Sequence, residues 1–245
     1  MSIKTFPVTL KDSVFLAPGV KQFTFDCPAS EDFRFIPGQF ITMHFEHEGK
    51  TYRRSYSIAN VPNKNNQIEF TASFIPHGVG SSLLFSLKKG DTLQINGPFG
   101  RLILKDEDPA RYILVATGTG ITPYRAMRDQ LQEKLNKNPA LRVAIVFGTR
   151  TPIDRLYHHE FAEWAAHCPQ VTYRAHLSQD QGEQPDQHTY AGYVQSAFAE
   201  LHLQPDQDLI YLCGNPGMID ESFETLKSQG FAPQSIIREK YISSK

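Results

Sequence analysis

Six consecutive residues, Gly118-Thr119-Gly120-Ile121-Thr122-Pro123, carry the clearest chemistry in the chain. They follow an apolar run, Tyr112 to Thr117, that reads as a buried strand, and they open a segment with helical signals. Glycines at such a turn let the backbone approach a diphosphate, and the free N–H groups of the helix start point at its charge. Pro123 stands where the ordinary dinucleotide fingerprint has its third glycine. Proline is easy to accommodate in a first helical turn, so a plain strand–turn–helix connection would look the same.

Two further groups have weaker signals. Arg54-Ser55-Tyr56-Ser57 lies on a predicted strand, with residues 54 and 56 on one face and 55 and 57 on the other. An arginine beside a tyrosine can clamp a phosphate while the ring stacks on a flat heteroaromatic, although barrel strands often carry such pairs outward. Gly78-Val79-Gly80-Ser81-Ser82 repeats the logic of glycines and a hydroxyl ahead of a helix. Taken alone, it reads more readily as an N-capping serine.

Composition limits what these groups can serve. Lys plus Arg number 25 and Asp plus Glu 26, a net charge of −1, so nucleic-acid binding through counterion release is not expected. Cys27, Cys168 and Cys213 are too dispersed for a zinc site, a disulfide framework or a four-thiolate iron–sulfur cluster. His158-His159-Glu160 lacks a metal-spaced partner and reads as a solvent-facing helix segment, so no metal site is expected. No apolar run reaches the roughly 18 residues of a membrane span, and Met1 to Leu10 alternates rather than forming a signal sequence. A cytoplasmic, reducing location is the expectation, with the chain as a monomer.

The elements that must position these groups change character near residue 108. Val20 to Cys27, Gln39 to Phe45, Ser55 to Asn60, Gln67 to Ile75 and Thr92 to Asn96 read as short strands, punctuated by Pro-Gly and Gly-Asp turns. Such spacing predicts an antiparallel barrel or sandwich, with a short helix over Ser81 to Leu87 covering its mouth. After the acidic joint Lys105 to Pro109, buried strands are predicted at Tyr112 to Ala116, Val143 to Phe147, Val171 to His176 and Leu209 to Cys213. Helices are predicted between them: Pro123 to Lys134, then Arg155 to Ala166 with Asp154 as N-cap. A third starts at Asn215-Pro216, with Asn215 as N-cap and Pro216 as its first residue. This alternation predicts an open parallel α/β sheet. Gln179 to His188 reads as a surface loop.

In this order along the chain, the motifs resemble those of the ferredoxin–NADP reductase superfamily of flavoproteins, from Thr5 to Tyr241. The matching pieces are the R-x-Y-S strand at Arg54 to Ser57, the G-x-x-S helix start at Gly78 to Ser81 and the G-x-G-x-x-P turn at Gly118 to Pro123. Cys213-Gly214-Asn215-Pro216 after the last core strand and the tail Glu239-Lys240-Tyr241 complete the set. The resemblance implies a β plus α/β chain: an antiparallel flavin barrel over residues 1–106, then a parallel α/β nucleotide domain over 107–245.

It also implies roles. Arg54 would bind the diphosphate of FAD (FMN being less favoured), Tyr56 would stack on the isoalloxazine, and Ser55 and Ser57 would lie beside it, Ser57 near N5. The helix start at Gly78, Gly80, Ser81 and Ser82 would hold the flavin diphosphate. Thr117, Gly118, Thr119, Gly120, Thr122 and Pro123 would hold the diphosphate of NADPH or NADH. Cys213, Gly214, Asn215, Pro216 and Glu239 would border the nicotinamide, with Ser57, Cys213 and Glu239 catalytic, and Tyr241 would cover the other flavin face. Hydride transfer needs the nicotinamide carbon and flavin N5 roughly 3–3.5 Å apart, so the protein would mainly supply position.

The implied activity is hydride transfer from NAD(P)H to FAD, then single electrons to a separate small acidic carrier, a ferredoxin, a flavodoxin or an oxygenase component. Arg53, Lys64 and Lys88-Lys89 are candidate steering charges for that carrier. Arg150, at the end of the second α/β strand, is the candidate reader of a ribose 2′-phosphate, unless it only pairs with Asp154 or Glu160. The Ser-Arg pair that often reads this phosphate appears as Ser178-Gln179. Two rivals remain at this stage: a reductase that releases reduced flavin, and a non-catalytic subunit that uses flavin or nucleotide as a ligand.

Overall fold

The computed structural model describes residues 5–62, 65–179 and 186–242. The predicted steering residue Lys64, and most of the loop expected over Gln179 to His188, lie outside the described residues. The chain divides into two compact units. Among the described residues, one holds 5–104 with 122–128; the other holds 105–121 and 129–242.

The first unit is antiparallel. Its strands are β1 (Phe6–Ala17), β2 (Val20–Asp26), β3 (Phe40–His47), β4 (Lys50–Ser57), β5 (Gln67–Ser73) and β6 (Thr92–Phe99), in the order β4-β3-β6-β1-β2-β5. A bridge between Ile58 and Phe70, with the Ala59 N–H donating to the Glu69 carbonyl at 2.7 Å, joins the two ends into a barrel. Closure removes the exposed edges an open sheet would leave. The interior follows the period of two: Val8 and Leu10, Phe23 and Phe25, Ile41 and Met43, Ile68 and Phe70 are all buried. Helix α1 (Val79–Ser86) buries Leu84 against this core, with Val79, Leu83, Phe85 and Leu87 packed around it.

The second unit is a parallel sheet of β7 (Arg111–Thr117), β8 (Arg142–Thr149), β9 (Val171–Leu177), β10 (Thr189–Ala191), β11 (Asp208–Gly214) and β12 (Ile236–Lys240). Its order is β10-β9-β8-β7-β11-β12. Its helices are α3 (His158–His167), α4 (Ala197–Glu200) and α5 (Pro216–Ser228), with the later part of α2 (Thr122–Lys137), whose residues 122–128 group with the first unit. Central strands β7, β8 and β11 are buried almost throughout, as a sheet covered on both faces requires. Met218, Ile219 and Leu226 of α5, with Val194, Ala197 and Phe198, pack on one face. Phe161 of α3 stacks on Tyr173 of β9 at 5.7 Å.

Several local expectations change. β1 is a twelve-residue strand missing from the strand reading, and β4 begins at Lys50 rather than Ser55. α1 starts two residues early, with Gly78 as its N-cap. The predicted cap Asp154 belongs to a separate 3-10 turn, Pro152–Asp154, and α3 begins only at His158, after Tyr157 turns left-handed at φ 55°. Leaving the helix frees Arg155 to reach across the fold. His158 does not face solvent; its side chain is 13% exposed and lies 3.0 Å from Asp186. Among the described residues, no helix is long and apolar enough to cross a membrane, and no group of three or more His, Cys, Asp or Glu gathers to hold a metal.

Candidate functional site

On the barrel, β4 pairs with β3 so that Arg54 faces Met43 and Tyr56 faces Ile41. Paired residues project to the same side, so Arg54 and Tyr56 stand on the core side and Ser55 and Ser57 on the other. Tyr56 stacks on Phe70 with centroids 4.7 Å and planes 19° apart. Burial pushes its hydroxyl pKa up to about 12, against the opposing pull of the Arg54 charge. Ser57 is buried, whereas the exposed Ser55 shares a 3.2 Å hydrogen bond with Thr42, turned away from the Arg54 face.

Arg54 and the start of α1, read separately in the sequence, come together. A Cβ on Gly80 would fall 2.9 Å from the Arg54 Cγ, so glycine makes room for the arginine stem. The guanidinium donates to the Arg53 carbonyl at 2.8 Å and lies 5.6 Å from the Tyr52 ring. Gly78 gives the helix no side-chain cap. Ser81 is not the cap either: its hydroxyl turns inward, 3.1 Å from the Ile75 carbonyl and 3.0 Å from that of Gly78. What this helix start offers a ligand is therefore backbone N–H, beside one arginine.

On the second unit, β7 lies between β8 and β11, so the chain runs outward in opposite directions from the β7–β11 boundary. In open parallel sheets that switch point leaves a crevice at the carboxyl ends of the strands, where ligands bind. The turn Gly118–Ile121 after β7 and the turn after β11 meet there. A Cβ on Gly120 would land on the Cys213 carbonyl oxygen and 2.7 Å from the Gly214 Cα. Gly214, at φ 123°, could carry one only at 2.5 Å from the Thr117 carbonyl oxygen. Both positions demand glycine because backbone lies against backbone. The Asn215 N–H donates to the Thr117 hydroxyl at 3.0 Å and stitches the turns together. Asn215 accepts from the Gly217 and Met218 N–H groups as the N-cap of α5, with Pro216 as its first residue.

Cys213 is fully buried and pairs in register with Glu239 of β12; the Tyr241 N–H donates to the Gly214 carbonyl at 2.8 Å. Burial pushes the Cys213 thiol well above its usual pKa, the Glu239 charge adds to the rise, and a hydrogen bond with the Tyr241 side chain opposes it. Cys213 is therefore a neutral thiol at physiological pH, not a nucleophile.

Farther along the same edge, Arg150 is exposed, with no side-chain partner among the described residues. The Asp154 carboxylate, its expected partner, accepts from the Thr151 hydroxyl instead. Backbone bonds from Ser178 to Thr149 (3.0 Å) and from Gln179 to Arg150 (2.9 Å) hold the two strand ends side by side. Sequence reasoning missed Arg155, which ties this segment to Asp186, 31 residues on.

The donor groups fit two bound diphosphates. α2 begins without a side-chain cap, and the buried hydroxyl of its first residue, Thr122, has no hydrogen-bond partner. An orphaned hydroxyl behind a glycine turn suits an anionic acceptor. Barrel and sheet together define the class: a flavin-binding barrel followed by a nucleotide-binding α/β unit.

Comparison with known proteins gives the same class. Residues 7–103 match the oxidoreductase FAD-binding domain and residues 114–223 the oxidoreductase NAD-binding domain. Reductase component 1 of terephthalate 1,2-dioxygenase from Comamonas sp is 28% identical, over 98% of this chain and 69% of its own length. The chain spans 66% and 60% of two further matches, the second terephthalate reductase component and the toluate 1,2-dioxygenase electron transfer component of Pseudomonas putida. Ferredoxin–NADP reductase B of Sorangium cellulosum is 28% identical over 92% of this chain and 93% of its own. In fold, a ferredoxin NADP+ reductase from Neisseria gonorrhoeae with bound FAD and NADP superposes with TM-score 0.83, at 21% identity, covering 97% of this chain and 98% of that one. The chain belongs to the ferredoxin–NADP reductase superfamily and is an NAD(P)H-dependent flavoprotein oxidoreductase that uses FAD.

Proposed function

We propose that this protein draws electrons from NADPH or NADH and delivers them one at a time to a separate protein, a ferredoxin, a flavodoxin or an oxygenase component. Bound FAD supplies the conversion between a two-electron hydride donor and a one-electron carrier. The observation that carries this reading is the glycine interlock of Gly120 with the Cys213–Gly214 turn. It brings Cys213, Glu239 and Tyr241 beside a turn built for diphosphate. In this reading residues 1–106 form the flavin domain and 107–245 the nucleotide domain. Arg54, Ser57 and Tyr56 hold and border the flavin; Thr117 to Pro123 hold the nucleotide; Ser57, Cys213 and Glu239 orient the reacting rings; and Tyr241 offers its ring to the flavin. Ser55 and Ser81 contribute through the backbone, because their hydroxyls bond within the protein. The cytoplasm, which supplies NAD(P)H, is the expected location.

Arg150 reads the ribose 2′-phosphate as an unpaired guanidinium beside the Ser178-Gln179 turn, giving a modest NADPH preference. The purified protein should be yellow and release FAD on heating. It should reduce a ferredoxin or a flavodoxin at a rate that falls as salt rises, since steering by exposed charges is screened over about 10 Å at 0.1 M. A colourless protein that FAD does not reconstitute would remove the flavin assignment. Carrier reduction that proceeds only with added free flavin would leave the flavin-releasing reductase in its place.

A further inference from the structure

We propose that Arg155 and Asp186 are a positioning pair for nucleotide choice: they tie the turn after Arg150 to Asp186 and Thr189, and so keep Arg150 aimed at the 2′-phosphate. The inference rests on the reading of Arg150 given above. Arg155 sits at the end of the 3-10 turn that separates Arg150 from α3. Its side chain is 17% exposed, and it donates to the Asp186 Oδ2 at 2.6 Å, the Thr189 hydroxyl at 2.9 Å and the Pro152 carbonyl at 3.1 Å. One guanidinium thus joins its own turn to the next loop, a fork that lysine cannot reproduce.

Asp186 is equally committed. Its Oδ1 accepts from the His188 N–H and the Thr189 hydroxyl, both at 2.9 Å, and its Oδ2 lies 3.0 Å from the His158 Nε2. The other ring nitrogen of His158 is 3.3 Å from the Tyr173 hydroxyl, which anchors the cluster on β9. Partial burial works against the carboxylate, but the hydrogen bonds from Arg155, Thr189 and His188 hold its pKa well below the usual range. The charge is therefore kept and compensated. Thr149 and Arg150 are joined to Ser178 and Gln179 by backbone bonds at 3.0 and 2.9 Å, and the turn that follows closes on itself from Thr151 to Asp154 at 2.8 Å. Arg155 adds a side-chain tie from that turn to Asp186 and Thr189.

The test is a double-mutant cycle on the holoenzyme, reading KM and kcat separately for NADPH and NADH. Arg155→Gln should raise the KM for NADPH about tenfold while the KM for NADH changes less than about twofold, with kcat and flavin content unchanged. Because Arg155 acts through Arg150, adding Arg155→Gln to Arg150→Ala should cost little beyond Arg150→Ala alone. Asp186→Asn, which keeps the shape and removes the charge, should move NADPH in the same direction and provides the test if Arg155→Gln does not fold. Equal effects on both nucleotides, no effect on either, or full additivity with Arg150→Ala would overturn the pair's role. If Arg150→Ala itself weakens NADPH and NADH equally, the reading of Arg150 fails, and that outcome is visible without any variant at Arg155.

Discussion

The two glycine-led helix starts look alike in sequence and work differently in structure. At α1, glycine makes room for a side chain: Gly80 lets the Arg54 stem lie across the first turn. At α2, glycine makes room for another backbone: Gly120 admits the Cys213–Gly214 turn, and no arginine or lysine occurs between Tyr112 and Tyr124. In the proposed reading, the first arrangement would grip an anion with a full charge, worth more per contact than neutral donors. The second would rely on backbone N–H groups and shape. A retained cofactor suits a charged clamp, while a co-substrate that must leave each cycle suits a site of moderate affinity. Function thus follows from what the glycine makes room for.

The contrast is broken most forcefully at Gly120. Gly120→Ala puts a methyl on the Cys213 carbonyl, so the two turns must separate. Displacements near 1 Å at a reacting site cost about 100-fold, and we expect kcat/KM for NAD(P)H to fall by that order with FAD content unchanged. Steady-state kinetics beside a flavin spectrum check it; loss of flavin in this variant would mean that the two sites are not independently built.

Arg54→Ala is the mirror experiment. Removal of a charge-assisted hydrogen bond should weaken FAD binding by about 1.5–3 kcal/mol, read by titrating apoprotein with FAD, and leave the KM for nucleotide unaffected. Unchanged FAD affinity would move the phosphate contact to the backbone N–H groups, making both sites of one kind.

Ser57→Ala and Cys213→Ala sharpen the comparison from within. Each should slow flavin reduction roughly tenfold in stopped flow, without loss of flavin, as expected for groups that orient rather than bind. The raised pKa of Cys213 adds a sign. The protonated thiol is the favoured form, so iodoacetamide should leave Cys213 unmodified at pH 8 in the folded protein, and a mapped adduct there would contradict its burial.

The smallest effect belongs to Asn215→Ala. Loss of the cap on α5 should cost about 1 kcal/mol of stability in thermal unfolding, with only a minor kinetic change. A large drop in nucleotide affinity instead would make Asn215 a ligand as well as a cap.

Much of this was legible in the residues alone. The change from period-two strands to buried runs divided barrel from sheet, and Asn215-Pro216 marked its helix start correctly, because periodicity and capping act within a few residues. The R-x-Y-S, G-x-x-S and G-x-G-x-x-P segments located both candidate sites for the same reason. The tertiary structure decided which groups in those segments remain available. Ser81 and Ser55 spend their hydroxyls inside the protein, Thr117 accepts from Asn215 across 98 residues, and Arg155 leaves its predicted helix to meet Asp186. The Arg150 side chain and the Thr122 hydroxyl stay unpaired among the described residues. Such outcomes depend on which distant loops close over each side chain, and a polar group's partner is set by that closure rather than by its neighbours in sequence.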